Sequence, residues 1–107
     1  MMQNFTLNNY QAQALSFRLP SANEQYALYN LGGEVGEIYS LVAKSIRDGR
    51  KPDYEQNMKK ELGDVLWHVA AIAADNGWPL EDIALSNILK LTGRKTMGTI
   101  SGSGDER

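Results

Sequence analysis

Glu34 and Glu37 are one three-residue step apart, and so are Glu61 and Asp64. A helix turns about 100° per residue, so each pair projects within about 60° of arc. The sectors they occupy otherwise look core-facing. Leu31, Ile38 and Leu41 share the first, and Val65, His68 and Ile72 share the second. Like charges one turn apart repel, and burying them unpaired costs several kcal/mol. No lysine stands close by on either face to offset them. A bound divalent cation would. Four carboxylates without sulfur or imidazole partners suit a hard ion, Mg²⁺ or Mn²⁺. The competing interpretation is two solvated acidic faces, which are common on helices. Two such pairs on adjacent apolar-flanked helices put the two interpretations on an even footing.

Glycine accompanies both pairs. Gly32, Gly33 and Gly36 surround the first and Gly63 lies inside the second. A glycine within a helix costs roughly 0.5–1 kcal/mol relative to alanine. Four of them at the acidic sites predict a close approach of backbones or of a ligand there, and put the two pairs near each other.

The elements that must carry these residues are helical. Ser21-Ala22-Asn23-Glu24 reads as a capping box with Ser21 as N-cap, opening a helix to about Asp48, closed by Gly49. Asp53-Tyr54-Glu55-Gln56 repeats the pattern after Pro52 and opens a helix to about Asn76, closed by Gly77. Pro79 suits the first turn of a further helix through Leu91, with Gly93 after it. Upstream, Leu7 to Leu19 predicts a shorter helix ended by Pro20. No alternating strand pattern occurs. Residues 95–107 read as a glycine-rich tail, with Thr96 onward outside the helix. The expectation is one all-α domain over residues 1–107, a four-helix antiparallel bundle. Val65, Leu66, Trp67, Val69, Ala70, Ile72 and Ala73 nearly encircle their helix, which makes it central and predicts oligomer contacts around it.

Composition narrows the function classes. Eleven Lys+Arg stand against 13 Asp+Glu, for a net charge of -2. Nucleic-acid coating requires clustered positive charge and is disfavoured. With no cysteine and one histidine, a disulfide scaffold, a thiolate zinc site, a cysteine nucleophile and a histidine-rich metal site are all excluded. The start of the chain has neither the basic nor the apolar region of a signal peptide, and no run is long enough to span a bilayer. A cytoplasmic protein without a membrane partner is expected. No Gly-x-x-x-x-Gly-Lys-Ser/Thr loop is present.

These residues resemble the MazG family of all-α nucleoside triphosphate pyrophosphohydrolases. That family is marked by Glu-x-x-Glu, a gap, and Glu-x-x-Asp. Here the motifs are Gly33-Glu34-Val35-Gly36-Glu37 and Glu61-Leu62-Gly63-Asp64, separated by residues 38–60. Asn87-Ile88-Leu89-Lys90 followed by Arg94 is similar to the family's Asn-x-x-Lys and later arginine. Gly104-Asp105-Glu106-Arg107 is similar to the Gly-Asp-x-Arg ending of small stand-alone members. The resemblance implies hydrolysis of (deoxy)nucleoside triphosphates to monophosphate and pyrophosphate, in a homodimer or homotetramer. It implies Mg²⁺ held by Glu34, Glu37, Glu61 and Asp64. Lys90 and Arg94 would then meet phosphate, Asn87 the sugar or base, and Arg107 a phosphate if the tail folds over.

His68 follows Asp64 by one turn and reads as a packed or supporting histidine, not a ligand. Trp67, pointing away, reads as core or subunit interface. Tyr10, Phe17 and Tyr26 could stack on a base, but aromatics at helical spacing are more often core, and none is assigned to the site. The alternative functions are a non-catalytic helical interaction module, a dimeric dUTPase, or a phosphoribosyl-ATP pyrophosphohydrolase. The lysine-rich segment of that last family is absent before Glu34.

Overall fold

The computed structural model describes residues 4–98. Among these, four helices and no strand form: α1 (Leu7–Leu15), α2 (Glu24–Asp48), α3 (Tyr54–Asp75) and α4 (Leu80–Met97). The all-α, four-helix expectation holds.

The helix ends follow from local chemistry, with three departures from the expected boundaries. Helix α1 stops at Leu15, not Leu19. The Ser16 hydroxyl donates to the Gln13 carbonyl and competes with the ladder, and the chain continues in turns toward Pro20. Helix α2 is capped by Asn23 rather than Ser21. The Asn23 Oδ1 accepts from the Tyr26 amide at 3.0 Å, so the helix begins two residues later than the capping box implies. Helix α4 runs through Gly93 to Met97 and closes on Gly98, whose φ is +71°. Gly93 stays helical, and Gly98 takes the left-handed conformation that closes the helix. Thr96 therefore belongs to the helix, and residues 99–107, the rest of the expected tail, lie outside the described residues.

Helix α3 ends as expected. Gly77 (φ +75°) lets its own amide reach the Ala74 carbonyl and the Trp78 amide reach the Ala73 carbonyl, at 3.0 and 2.9 Å. This paired closure satisfies two of the last carbonyls of the helix. Pro79 follows at once and has no side chain able to cap α4. Helix α1 supplies the cap instead. Gln11 Oε1 accepts from the Leu80 amide and Asn8 Oδ1 from the Glu81 amide, both at 3.0 Å. The Glu81 carboxylate in turn accepts from the Asn8 backbone amide at 3.1 Å.

Helix α3 is the central element and packs against α1, α2 and α4, as its apolar circumference implies. Helix α2 lies along α3 through the short turn after Gly49, and touches neither α1 nor α4. The buried apolar residues are small: Ala14, Ala27, Ala70, Ala71, Ala73, with Leu80. Two polar clasps tie α1 and its exit to α3. Trp67 Nε1 donates to the Ala14 carbonyl at 2.9 Å. Arg18 grips Asp75 through two nitrogens at 2.6 and 3.0 Å, with both side chains about 15% exposed.

Candidate metal centre

Helices α2 and α3 run side by side, so sectors that the sequence places on separate helices become the two walls of one groove. Carboxylate oxygens of Glu34, Glu61 and Asp64 lie within 4.8 Å of one another. Glu34 and Glu61 are half-buried and Asp64 is exposed. Glu37 is exposed and falls outside that tight triangle. It remains an electrostatic neighbour: the Glu61 carboxyl is held above its ordinary pKa by partial desolvation, then by the charges of Glu37, Asp64 and Glu34. Tyr10 of α1 is raised by burial and by the Asp64 charge, which sets α1 beside the same cluster.

This arrangement could hold a hard cation. The donors are all oxygen, and no lysine or arginine forms an ion pair with them among the described residues. His68 is not available as a ligand. It is buried, its Nδ1 lies 2.7 Å from the Asp64 carbonyl, and its Nε2 lies 3.0 Å from Asn30 Nδ2. A carbonyl can only accept, so Nδ1 carries the proton and Nε2 accepts from the asparagine. Asn30 also donates to Glu34 Oε1 at 3.3 Å. One amide thus links a buried histidine on α3 to a cluster carboxylate on α2. Asn30 is absent from the sequence expectations, yet a signal existed: it precedes Glu34 by four residues, one turn on the same face, as His68 follows Asp64.

The acidic pairs lie near each other as the glycines imply, but not through a close approach of backbones. A Cβ at Gly32, Gly36 or Gly63 would meet nothing within 4 Å, and at Gly33 only the Asn30 Oδ1, at 3.3 Å. Among the described residues no neighbouring backbone approaches them. Gly36 and Gly63 each sit two residues from a cluster glutamate, about 200° around the helix, so they face away from the groove.

Among the described residues, the hollow that holds Asn87 and Lys90 is bordered by none of the four carboxylates. Asn87 and Lys90 line a separate hollow of about 490 Å³ with Trp78, Asp82, Ile83 and Ser86. Arg94, one turn further, is buried at 6% exposure rather than presented on that hollow. Arg107 lies outside the described residues. Of the aromatics read as core, Phe17 is 82% exposed and Tyr26 48% exposed, whereas Tyr10 is half-buried.

Among the described residues no helix is long and apolar enough to cross a membrane. The chain is 40% identical over 85 residues to "Gene 37 protein" of Mycobacterium phage L5, covering 77% of this chain and 75% of that protein. No solved structure matches it at a significant level. Residues 22–98 match the MazG nucleotide pyrophosphohydrolase domain, a span that holds both acidic pairs and the helices that bring them together. The chain belongs to the MazG nucleotide pyrophosphohydrolase family.

Proposed function

We propose that this protein hydrolyses (deoxy)nucleoside triphosphates to the monophosphate and pyrophosphate, with Mg²⁺ as the metal and Mn²⁺ able to replace it. The observation that carries the reading is the convergence of the Glu34, Glu61 and Asp64 oxygens within 4.8 Å, with Glu37 beside them. Glu34, Glu37, Glu61 and Asp64 would hold the cation. When bound, it supplies charge neutralisation for the triphosphate and a lowered pKa for water.

The chain's own groups do the rest. A cluster carboxylate oxygen not engaged in ligation accepts the proton of the attacking water. The new bond forms between that water's oxygen and the α-phosphorus. The bond to the bridging α–β oxygen breaks, and pyrophosphate leaves with its electrons. Asn30, bonded to both Glu34 and His68, holds the Glu34 carboxylate in place against the electrostatic repulsion of its neighbours. Asn87, Lys90 and Arg94 belong to this reading as contacts to sugar and phosphate.

Assembly into a homodimer or homotetramer is part of the proposal. Among the described residues no large side chain is completely buried within a single chain, and α4 exposes Leu85, Ile88 and Leu89 at 57–63%. Because α4 does not touch α2, Asn87 and Lys90 need a second copy, or a movement of α4, to reach a groove between α2 and α3. A cytoplasmic setting, without nucleic acid or membrane as partner, completes the reading.

The test is a panel of dNTPs with Mg²⁺, assayed for pyrophosphate and repeated in ¹⁸O-labelled water. Label in the monophosphate and none in pyrophosphate is expected. Label in orthophosphate, with diphosphate accumulating, or no turnover of any nucleotide, overturns the proposal.

A further inference from the structure

The faces of α2 and α3 that carry the carboxylates continue toward the α2–α3 turn. On α2, Leu41, Lys44, Ser45 and Asp48 fall within about 100° of arc that also contains Glu34 and Glu37. On α3, Tyr54 and Asn57 share the sector of Glu61 and Asp64. These residues line a hollow of about 480 Å³ at the α2–α3 turn, together with Arg47 and Lys51. The hollow therefore opens on the same side of the hairpin as the acidic cluster. Its near wall starts one turn from Glu61 at Asn57, and Lys44 is about 10 Å along the axis from Glu37.

The charge of this hollow is opposite to that of the cluster. Lys44, Arg47 and Lys51 line it against Asp48 and Asp53, and Arg50 stands 4.1 Å over the Tyr54 ring at its edge. Asp48 is lowered by its bond to Arg47, then by Lys51 and Lys44, so both ammonium groups act on the same small volume. Arg47 is committed to Asp48 at 2.7 Å, but neither Lys44 nor Lys51 forms an ion pair among the described residues. At the other end of the groove the lining changes character. Tyr26 and Asn30, toward the start of α2, border a shallow hollow of about 410 Å³ that is lined by α2 and its N-cap and has no cation in its wall.

We propose that the hollow at the α2–α3 turn is the seat of the departing polyphosphate, with Lys44 and Lys51 as its contacts. The proposal rests on the hydrolytic reading above and gives the substrate a direction. The α-phosphorus sits at the carboxylates, the β- and γ-phosphates extend toward Lys44 and Lys51, and the nucleoside lies toward Tyr26 and Tyr29. Charge develops on the leaving pyrophosphate as the α–β bond breaks, and cations are useful where that charge appears. Ammonium groups on long stems suit this task, as point charges that follow the anion from the bound to the departing position. Lys90 lines a different hollow, on α4, whose backbone does not come close to that of α2.

The experiment measures binding and turnover separately. Inorganic tripolyphosphate and each dNMP are titrated calorimetrically, with Mg²⁺ present, into wild type, Lys44→Ala/Lys51→Ala, Lys44→Arg/Lys51→Arg and Lys59→Ala. Lys59 is exposed and projects about 160° from Glu61, so it controls for net charge. Loss of two charge-assisted contacts predicts about a 100-fold weaker tripolyphosphate affinity in the double alanine variant. The same variant should bind dNMP within about 3-fold of wild type, since the hollow is beyond the α-phosphate and the cations are screened by salt. The double arginine variant should recover most of the affinity. Unchanged tripolyphosphate binding in the double alanine variant, or an equal loss in Lys59→Ala, overturns the seat. Wild type that turns over no dNTP but loses tripolyphosphate on the double substitution keeps the seat and removes the hydrolytic reading. Active wild type with unchanged tripolyphosphate affinity in the variant does the reverse.

Discussion

Replacing Asn30 by alanine tests the polar link between the two walls of the groove. Its amide nitrogen is 3.0 Å from His68 Nε2 and 3.3 Å from Glu34 Oε1, so one truncation removes both donations. His68 is only 6% exposed, and its other nitrogen is already committed to the Asp64 carbonyl at 2.7 Å. Without Asn30 the buried Nε2 keeps its desolvation and loses its partner. That costs about 2 kcal/mol, within the range for an unmade hydrogen bond at a buried site. For a domain of this size the loss lowers Tm by roughly 8–15 °C. The measurement is a thermal melt at fixed protein concentration in EDTA, because any assembly makes Tm depend on concentration. A double-mutant cycle with His68→Ala should return a coupling of about 1 kcal/mol, since the two residues lose the same bond. Metal affinity gives a second readout. Groups that orient a metal's carboxylate ligand are typically worth 10- to 100-fold in affinity, so Asn30→Ala should bind Mg²⁺ that much more weakly. Additive losses in the cycle, or a variant that melts and binds Mg²⁺ like wild type, refute the linkage.

Glu61→Gln should abolish turnover and weaken Mg²⁺ binding, while its Tm without metal holds or rises because one of four repelling charges is gone; full activity in Glu34→Gln, Glu37→Gln and Glu61→Gln alike defeats the metal site. Its pH dependence has a definite sign. Glu61 is raised in the folded protein, so its protonated form favours folding, and that advantage is lost as pH rises through its folded pKa. In EDTA the Tm of Glu61→Gln relative to wild type should therefore increase between about pH 4 and pH 7, and a constant difference contradicts the shift. Arg18→Met should cost about 2 kcal/mol by leaving the largely buried Asp75 without its two-pronged partner, measured by urea unfolding; a change below about 0.5 kcal/mol shows the clasp to be dispensable. Sedimentation at tens of micromolar should give at least a dimer, and a species matching the 11.9 kDa chain rules out the assembly.

Local periodicity settles anything that depends on neighbours a few residues apart. The three-residue steps of Glu34–Glu37 and Glu61–Asp64 place each pair on one face of its helix wherever that helix goes. Gly49, Gly77 and Pro79 mark interruptions through their own covalent structure: glycine, without a Cβ, is free to take positive φ, whereas proline has a fixed φ and no amide hydrogen to donate. The family motifs are legible for the same reason: they are local strings in a fixed order. What local reading cannot supply is the choice between nearby options of similar energy, or distances between helices. Ser21 and Asn23 can each cap α2, and Gly93 and Gly98 can each close α4; the choice follows from which backbone position the rest of the chain leaves extended or left-handed. That α4 draws its N-terminal cap from Asn8 and Gln11 depends on contacts across most of the chain. The acidic triangle, the Asn30–His68 link and the separation of Lys90 from the carboxylates exist only once α2 lies along α3 and α4 lies elsewhere. The tertiary structure also divides residues that look alike in sequence. Asn87, Lys90 and Arg94 share one side of α4, but packing buries Arg94 and leaves Lys90 on an open hollow. Periodicity fixes the angle of a side chain about its helix axis, whereas burial depends on what the neighbouring helix covers.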